Sequence, residues 1–165
     1  MQNHSQRLDL EEALSRLIAK IKSITKTEII GLAECGGRIL SEDILAPISL
    51  PPFRSSAMDG YSIKREAYLK NPQQEFEVIG SSFAGKPFSG SMGIDQCVRI
   101  FTGAVVPDEA DMVILQERAE ILPGSRVKFS ENFENENHIR EVGNDIKKGT
   151  CVAKSKHKMT PYLIA

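Results

Sequence analysis

The sequence contains no tryptophan, few aromatic residues (6%) and no excess of either charge, with 21 Lys and Arg residues against 22 Asp and Glu residues. Proteins that bind nucleic acid over a broad surface carry a marked basic excess, so the charge balance argues against that class. Apolar runs are also short, as at Met112–Leu115, whereas a helix that crosses a bilayer needs about 18–20 apolar residues. We therefore expect neither a nucleic-acid partner nor a membrane-spanning helix.

Cysteine and histidine are scarce as well. The three cysteines, Cys35, Cys97 and Cys151, are widely separated and form no CxxC pair. This spacing argues against a disulfide framework and favours a reducing compartment, so we expect a cytoplasmic protein. No HExxH zinc motif and no GxSxG nucleophile elbow occurs. A length of 165 residues with 41% hydrophobic content fits one globular domain or two small lobes.

Near the N-terminus, apolar residues recur three and four positions apart, which is the spacing of one helix face. Asp9 is placed to cap this helix, and Glu12 completes the spacing of a capping box. The pattern predicts an amphipathic helix from about residue 10 to about residue 24. Its apolar face consists of Leu10, Ala13, Leu14, Leu17, Ile18 and Ile21.

The rest of the chain is dominated by short segments typical of β-strands, separated by Gly and Pro. Many short strands joined by such turns predict a small barrel or sandwich. The expected fold is therefore mainly β with an N-terminal helix (α+β). The predicted strands are Thr27–Ile30, Ile39–Ile44, Tyr61–Lys64, Phe76–Ile79, Cys97–Phe101, Met112–Gln116, Arg126–Phe129 and His138–Arg140.

The loop Ser55–Tyr61 is the densest candidate for a ligand site. It combines two serine hydroxyls, the carboxylate of Asp59 and the flexible Gly60. Glycine permits close approach of a ligand to the backbone, and an oxygen-rich loop suits a hard cation such as Mg²⁺. A plain Asp-Gly turn is the alternative interpretation.

Two further loops carry polar residues at places where strands are expected to end. Thr102 follows a predicted strand and precedes Gly103, so its hydroxyl could face a ligand. Asp145 lies in an acidic turn after Gly143. A strand terminator and a solvated turn are the respective alternatives.

At the C-terminus, Thr160 and Pro161 form a helix-start signal, with Thr as N-cap and Pro at the first helical position. Only four residues follow Pro161, which is about one helical turn. We expect the helix to continue in a longer protein of which this chain is the N-terminal part. A genuine short terminal turn is the alternative.

The segment Pro51–Tyr61 reads PPFRSSAMDGY and resembles the PPFxxSAMDGYA signature of molybdopterin molybdenumtransferases, the family of MoeA and the gephyrin E-domain. Further segments resemble the family in the same order, and the likeness covers nearly the whole chain from the first helix on. They are Gly37–Ile44 (GRVLAEDV in the family), Arg99–Asp111 (RIxTGAxxPxGAD) with Gln116 and Glu117 after it, Gly143–Ile146 (GEDI) and Met159–Pro161 (LTP).

This resemblance implies an enzyme of molybdenum cofactor biosynthesis that inserts molybdate into adenylylated molybdopterin with the help of Mg²⁺. It also implies an elongated homodimer, with the active cleft between the second lobe of one subunit and the pterin-binding domains of the other. Together with the strand pattern it implies two lobes: a discontinuous helix-plus-sheet lobe (1–46 and 141–165) and an inserted β lobe (47–140). The family's pterin-binding and C-terminal domains would lie beyond this segment.

By the same resemblance, the catalytic residues are Asp59, Thr102 and Asp145. Asp59 and Asp145 are expected to organise the cation, water or molybdate, directly or through water, whereas Thr102 orients the ligand by hydrogen bonds. Neighbours on these loops are expected to bind the cofactor, namely Ser56, Met58, Gly60 and Gly103.

Two features support a second hypothesis. Asn144 stands where the family has Glu, and the family's pterin-binding and C-terminal domains lie outside this segment. A further departure is that Ile139–Val142 is less basic than the matching stretch of the family. The alternative function is therefore a non-catalytic dimerisation or scaffold module with the same fold. Even under the first hypothesis the isolated chain is expected to be inactive, because it supplies half of a composite site and positioning is most of what such a site provides.

Overall fold

The computed structural model describes residues 8–129 and 137–165. These residues belong to two compact units, one extending to Glu42 and including Ser155–Ala165, the other formed by Asp43–Lys154. The predicted lobe boundaries after residues 46 and 140 fall inside the second unit, and the lobe division stays a prediction.

The described chain contains three helices, two short 3₁₀ turns and ten strands. The helices are α1 (Leu10–Lys20), α2 (Arg65–Lys70) and α3 (Pro161–Ile164), and the 3₁₀ turns are Leu32–Glu34 and Gln116–Arg118. The strands are β1 (Ile44–Leu45), β2 (Ser55–Ser56), β3 (Gly60–Ile63), β4 (Glu75–Ser82), β5 (Gln96–Ile100), β6 (Met112–Leu115), β7 (Ala119–Leu122), β8 (Arg126–Phe129), β9 (Ile139–Arg140) and β10 (Cys151–Ala153).

Helix α1 confirms the predicted N-terminal helix and its cap. The Glu12 amide donates a 2.7 Å hydrogen bond to Oδ1 of Asp9. The helix ends at Lys20, four residues earlier than expected, and Ile21 is already extended. The segment that follows contains Ile21, Ile24 and Thr25, and β-branched residues lose side-chain freedom in a helix.

Two predicted strands between α1 and β2 were wrong. Residues 27–30 form no strand, because no described strand pairs with them. Most of their side chains are exposed. Of the predicted Ile39–Ile44 strand, only an isolated bridge between Ile39 and Lys158 and the start of β1 are formed. Alternating apolar residues do not make a strand unless a partner supplies the hydrogen-bond ladder.

The centre of the second unit is a six-stranded sheet in the order β6-β3-β5-β4-β8-β7. All neighbouring strands in it are antiparallel except β4 and β5, which are parallel. The structure confirms the predicted strands at the positions of β3, β4, β5, β6, β8 and β9 within one to three residues. Together with the few helices, this sheet confirms a mainly β, α+β fold.

Both faces of this sheet are buried by separate apolar clusters. Phe129 lies in the first, with ring centroids 5.6 Å from Phe76, 5.9 Å from Tyr61 and 6.5 Å from Tyr68. The second contains Val98 and neighbours from the segment after β5. Successive side chains of a strand point to opposite faces, so β5 contributes Cys97 to one cluster and Val98 to the other.

The three cysteines differ in their surroundings, although all are free thiols. Cys97 is fully buried on β5, and burial, with a smaller contribution from the charge of Glu77, raises the pKa of its thiol to about 12. Cys35 is buried as well, whereas Cys151 on β10 is exposed. In the part of the chain that the structure describes, no helix is long and apolar enough to span a membrane.

Phe129 offers the sharpest test of this packing. Phe129→Ala should lower the free energy of unfolding by about 3–5 kcal/mol, because the ring is fully buried among three aromatic neighbours and its loss leaves a cavity. Urea denaturation measures this loss. The control Ile121→Ala, at a side chain that is 77% exposed, should change stability by less than about 0.5 kcal/mol. Equal losses in the two variants would contradict the assignment of the core.

Candidate functional site

The antiparallel pairing of β3 and β5 places two candidate residues side by side. Gly60, the first residue of β3, is paired with Ile100, the last residue of β5. Asp59 directly precedes β3, and Thr102 lies two residues after β5. Because antiparallel strands bring the start of one to the end of the other, both residues lie at the same end of the sheet.

Asp59 and Thr102 form a doubly hydrogen-bonded pair. The backbone N–H and the hydroxyl of Thr102 both donate to Oδ1 of Asp59, each at 2.8 Å. Donors to a carboxylate favour its charged form. The amide of Thr102, followed by its hydroxyl, therefore lowers the pKa of Asp59, and the charge of Arg99 lowers it further. The pair thus presents an ionised carboxylate at the sheet end.

The Ser55–Asp59 loop is held against the loop after β5 by its backbone. The amide of Gly103 donates to the carbonyl of Ser56 at 2.8 Å, and the amide of Ser56 donates to the carbonyl of Ala104 at 2.9 Å. The hydroxyl of buried Ser56 donates to the carbonyl of Met58. Ser56 therefore stabilises the loop, whereas the Met58 side chain is exposed.

Gly60 meets a strict steric requirement. A Cβ atom built on it would lie 2.0 Å from the carbonyl oxygen of Ile114 on the neighbouring strand β6. Any side chain would push these strands apart, so glycine is needed for packing. Gly103 is needed for another reason, because its φ of 81° lies in the left-handed region that favours glycine. Cofactor binding by Ser56, Met58, Gly60 and Gly103 stays a prediction.

Asp145 lies elsewhere in the same unit. Its amide donates to the carbonyl of Leu50, and the amide of Gly143 donates to the carbonyl of Pro51, each at 2.9 Å. The acidic turn thus packs beside the start of the Pro51–Tyr61 signature, whereas Asp59 stands near its end. Among described residues no hydrogen bond connects Asp145 to Asp59 or Thr102, and its role at the site stays a prediction.

The structure adds two residues that the sequence analysis matched to the family pattern but did not propose for the site, Gln116 and Glu117. The backbone amide of Gln116 donates to the carbonyl of Asp59, and its side-chain amide donates to Oε1 of Glu117, both at 3.1 Å. The amide of Glu117 and the Gln116 side chain lower the pKa of Glu117, while the nearby charge of Asp59 opposes this shift. A second ionised carboxylate therefore stands close to Asp59. These contacts could not be predicted from the sequence, because they depend on the pairing of β3 with β6.

The residues fit a hydrated divalent cation better than a metal held entirely by protein. Magnesium typically binds one or two carboxylates and keeps several water or substrate ligands. Asp59 is ionised, and both hydrogen bonds that it accepts from described residues reach one oxygen, Oδ1. Within residues 8–129 and 137–165, no group of three or more His, Cys, Asp or Glu side chains is arranged to hold a metal ion.

This fold and this loop arrangement define a recognised class of protein domain. The family described as the MoeA N-terminal region (domain I and II) matches residues 8–165. The chain belongs to this family.

The relatives of this chain are longer proteins, and the chain matches only part of each. The molybdopterin molybdenumtransferase of Haemophilus influenzae is 38% identical over 156 residues, covering 93% of this chain and 38% of the relative. The gephyrin of Dictyostelium discoideum is 30% identical, over 91% of this chain and 23% of the relative. A crystal structure of the molybdopterin biosynthesis MoeA protein from Pyrococcus horikoshii superposes with a TM-score of 0.82 at 29% identity. It covers 95% of this chain and 40% of that protein.

Thr102→Val tests the electrostatics of the pair. The variant removes the hydroxyl donor, so the pKa of Asp59 should rise toward its ordinary value, whereas Thr102→Ser should preserve it. Carboxyl-carbon NMR titration measures this change.

The lowered pKa of Asp59 also makes stability depend on pH. Because the folded-state pKa is lower than the unfolded-state pKa, ionisation of Asp59 stabilises the fold above the unfolded-state pKa. This stabilisation disappears as the pH falls through the folded-state pKa.

The control for this titration is Thr150→Val, an exposed threonine in the loop before β10, which should leave the pKa of Asp59 unchanged. An unchanged pKa in Thr102→Val would show that the hydroxyl bond does not contribute.

Proposed function

We propose that the chain forms the N-terminal region of an enzyme of molybdenum cofactor biosynthesis, which inserts molybdate into adenylylated molybdopterin. The observation that carries the proposal is the Asp59–Thr102 pair, built on the Pro51–Tyr61 signature in a chain of the MoeA N-terminal family. The relative from Haemophilus influenzae is named a molybdopterin molybdenumtransferase. The chain spans about 38% of that relative's length, so we assign the activity to the longer protein and expect this region alone to be inactive.

Asp59 would act in this reaction as a fixed negative charge. An aspartate is already ionised near neutral pH, and the two hydrogen bonds that Thr102 donates lower the pKa of Asp59 further and hold Oδ1 in place. We propose that Asp59 binds Mg²⁺ or a water molecule near the molybdate, and that Thr102 fixes the orientation of the carboxylate. When bound, Mg²⁺ would neutralise phosphate and molybdate charges that otherwise repel each other. Asp145 is proposed as the second acidic residue, acting directly or through water.

The protein partner proposed is a second copy of the chain. None of the residues of α1, all of which the structure describes, is buried. Its apolar face remains exposed at Leu10, Leu14, Leu17 and Ile18. Such a face normally packs against another apolar surface, and the pterin-binding domains of the partner subunit would complete the composite site.

The proposed location is the cytoplasm, which agrees with the three free thiols.

The alternative is a dimerisation or scaffold module that retains the fold without catalysis. One observation favours it: Asn144 replaces a glutamate of the family pattern, and it lies in an exposed turn with its amide bonded to the carbonyl of Glu141 at 3.1 Å. This substitution removes a negative charge beside Asp145. The two functions differ in whether the charge of Asp59 is needed.

Asp59→Asn in the longer protein should fold normally but lose molybdenum insertion by at least about 100-fold, as expected when a preorganised charge is removed from a reaction centre. Asparagine keeps an oxygen at the Oδ1 position that can still accept both Thr102 donors. The assay is conversion of adenylylated molybdopterin and molybdate to the cofactor.

The matched control is Asp108→Asn, at an exposed aspartate of the same unit, which should retain full activity. Unchanged conversion by Asp59→Asn would contradict the enzymatic proposal and favour the scaffold.

Self-association should depend on the apolar face of α1. Leu17→Lys should weaken dimerisation at least about tenfold, because a charged group would have to be buried at the interface. Sedimentation at tens of micromolar measures the change. Ala19→Lys, about 170° away from the centre of the apolar face at 100° per residue, is the control and should dimerise like the parent. A monomeric parent would contradict the proposed interface.

A further inference from the structure

Arg99 is the central cation of the sheet end that carries Asp59. It lies on β5, and its guanidinium carbon is 5.0 Å from the ring centroid of Tyr61 and 4.7 Å from that of Phe101. Contacts with two rings confine the planar guanidinium and stabilise its charge. Phe101 is in turn stacked on Phe83, with centroids 4.6 Å apart and planes 11° apart. The side chain is therefore held within a row of aromatic rings.

The two terminal nitrogens of the guanidinium bond the first residue of β3 and the turn after β6. Nη1 donates to the carbonyl of Gly60 at 2.7 Å, directly beside Asp59 in the chain. Nη2 donates to Oε1 of Gln116, whose backbone amide donates to the carbonyl of Asp59. Arg99 thus connects the start of β3 with the turn after β6, directly beside Asp59.

The choice of partners distinguishes Arg99 from an ordinary surface arginine. Among described residues it forms no carboxylate ion pair, whereas Arg126 on β8 pairs with Glu75 at 3.2 Å in solvent. The donors of Arg99 instead reach a carbonyl and an amide oxygen, in the fork geometry that a lysine cannot reproduce. The charge acts on Asp59 and Glu117 from a distance and lowers the pKa of both carboxyls.

We propose that Arg99 is a positioning residue for the Asp59–Thr102 pair: by joining the Gly60 carbonyl to Gln116, it fixes the turn that aims the Asp59 carboxylate. The catalytic consequence rests on the proposed function, whereas the structural consequence does not. The fork of hydrogen bonds is the essential property of the side chain. Positive charge alone would not replace it.

The first experiment compares Arg99→Lys with Arg99→Gln in this chain. Lysine keeps the charge and glutamine removes it, but neither spans both acceptors. Hydrogen exchange of the Thr102 and Gln116 amides, which are bonded to Asp59, should accelerate at least about tenfold in both variants through local opening. Arg126→Gln is the matched control and should leave both amides unchanged.

A loss of global stability would also accelerate exchange. The Val98 and Val113 amides in the sheet therefore serve as an internal reference, because they report global rather than local opening. If both Arg99 variants fail to fold, Gln116→Ala replaces them, since this side chain is exposed and its loss removes only one end of the connection. The same acceleration at Thr102 is then expected. Lysine preserving wild-type exchange, or acceleration equal to that of the sheet amides, would overturn the proposal.

The second experiment measures molybdenum insertion by the longer protein. Arg99→Lys should lower kcat at least about tenfold and change KM for molybdate less than about threefold. The reason is that a wrongly oriented Asp59 carboxylate affects mainly the chemical step. Arg126→Gln should keep parental kinetics. No insertion by the parent would contradict the proposed function while the exchange result still decides the role of Arg99. Parental kcat in Arg99→Lys would overturn its catalytic consequence.

Discussion

The pairing of β3 between β5 and β6 is the constraint on which the rest of the second unit depends. Gly60 stands opposite Ile100 on one side and Leu115 on the other, and a Cβ atom there would collide with the carbonyl of Ile114. Three chain segments that are distant in sequence therefore meet at one strand end. The backbone hydrogen bonds of these strands bring together the carboxylate of Asp59, the donors of Thr102 and the Gln116–Glu117 turn.

The electrostatic character of the site follows from this assembly. Asp59 accepts two hydrogen bonds from a single residue, and Glu117 is stabilised by its own amide and by Gln116. Two ionised carboxylates close to each other repel, and Arg99 between the turns offsets that repulsion. The arrangement places two carboxylates at one end of the sheet and holds the pKa of both below its ordinary value.

Much of this fold was predictable from the sequence because its signals are local. The cap of α1, the alternation in β4 and β5 and the turn residues between strands depend only on neighbouring residues. The two-residue strands β1 and β2 and the three-residue strand β10 were not predictable, since each exists only through a partner: β1 pairs with β10, and β2 with β9. Strand β7 and helix α2 were also missed. The Ala119–Leu122 segment has no buried side chain, and its apolar residues do not alternate strictly with polar ones, so the pattern of a half-buried strand is absent.

The candidate site, like the fold, was predictable only in part. Asp59 and Thr102 could be singled out because the Pro51–Tyr61 and Arg99–Asp111 segments resemble a family. Their mutual hydrogen bonds, and the connection from Arg99 to Gln116, depend on the register of β3 against β5 and β6. No local pattern in the sequence encodes that register. Asp145 was chosen by the same resemblance, yet its turn packs beside Leu50 and Pro51, so sequence likeness alone did not establish proximity.

The unequal burial of the cysteines has a practical consequence for chemical labelling. A thiol reacts as its thiolate, and the pKa of about 12 at buried Cys97 leaves almost none of that form near neutral pH. Cys35 is also enclosed, whereas Cys151 is open to solvent on β10. The chain thus carries a natural attachment point for a maleimide-linked spectroscopic probe, at a strand that contributes none of the residues around Asp59.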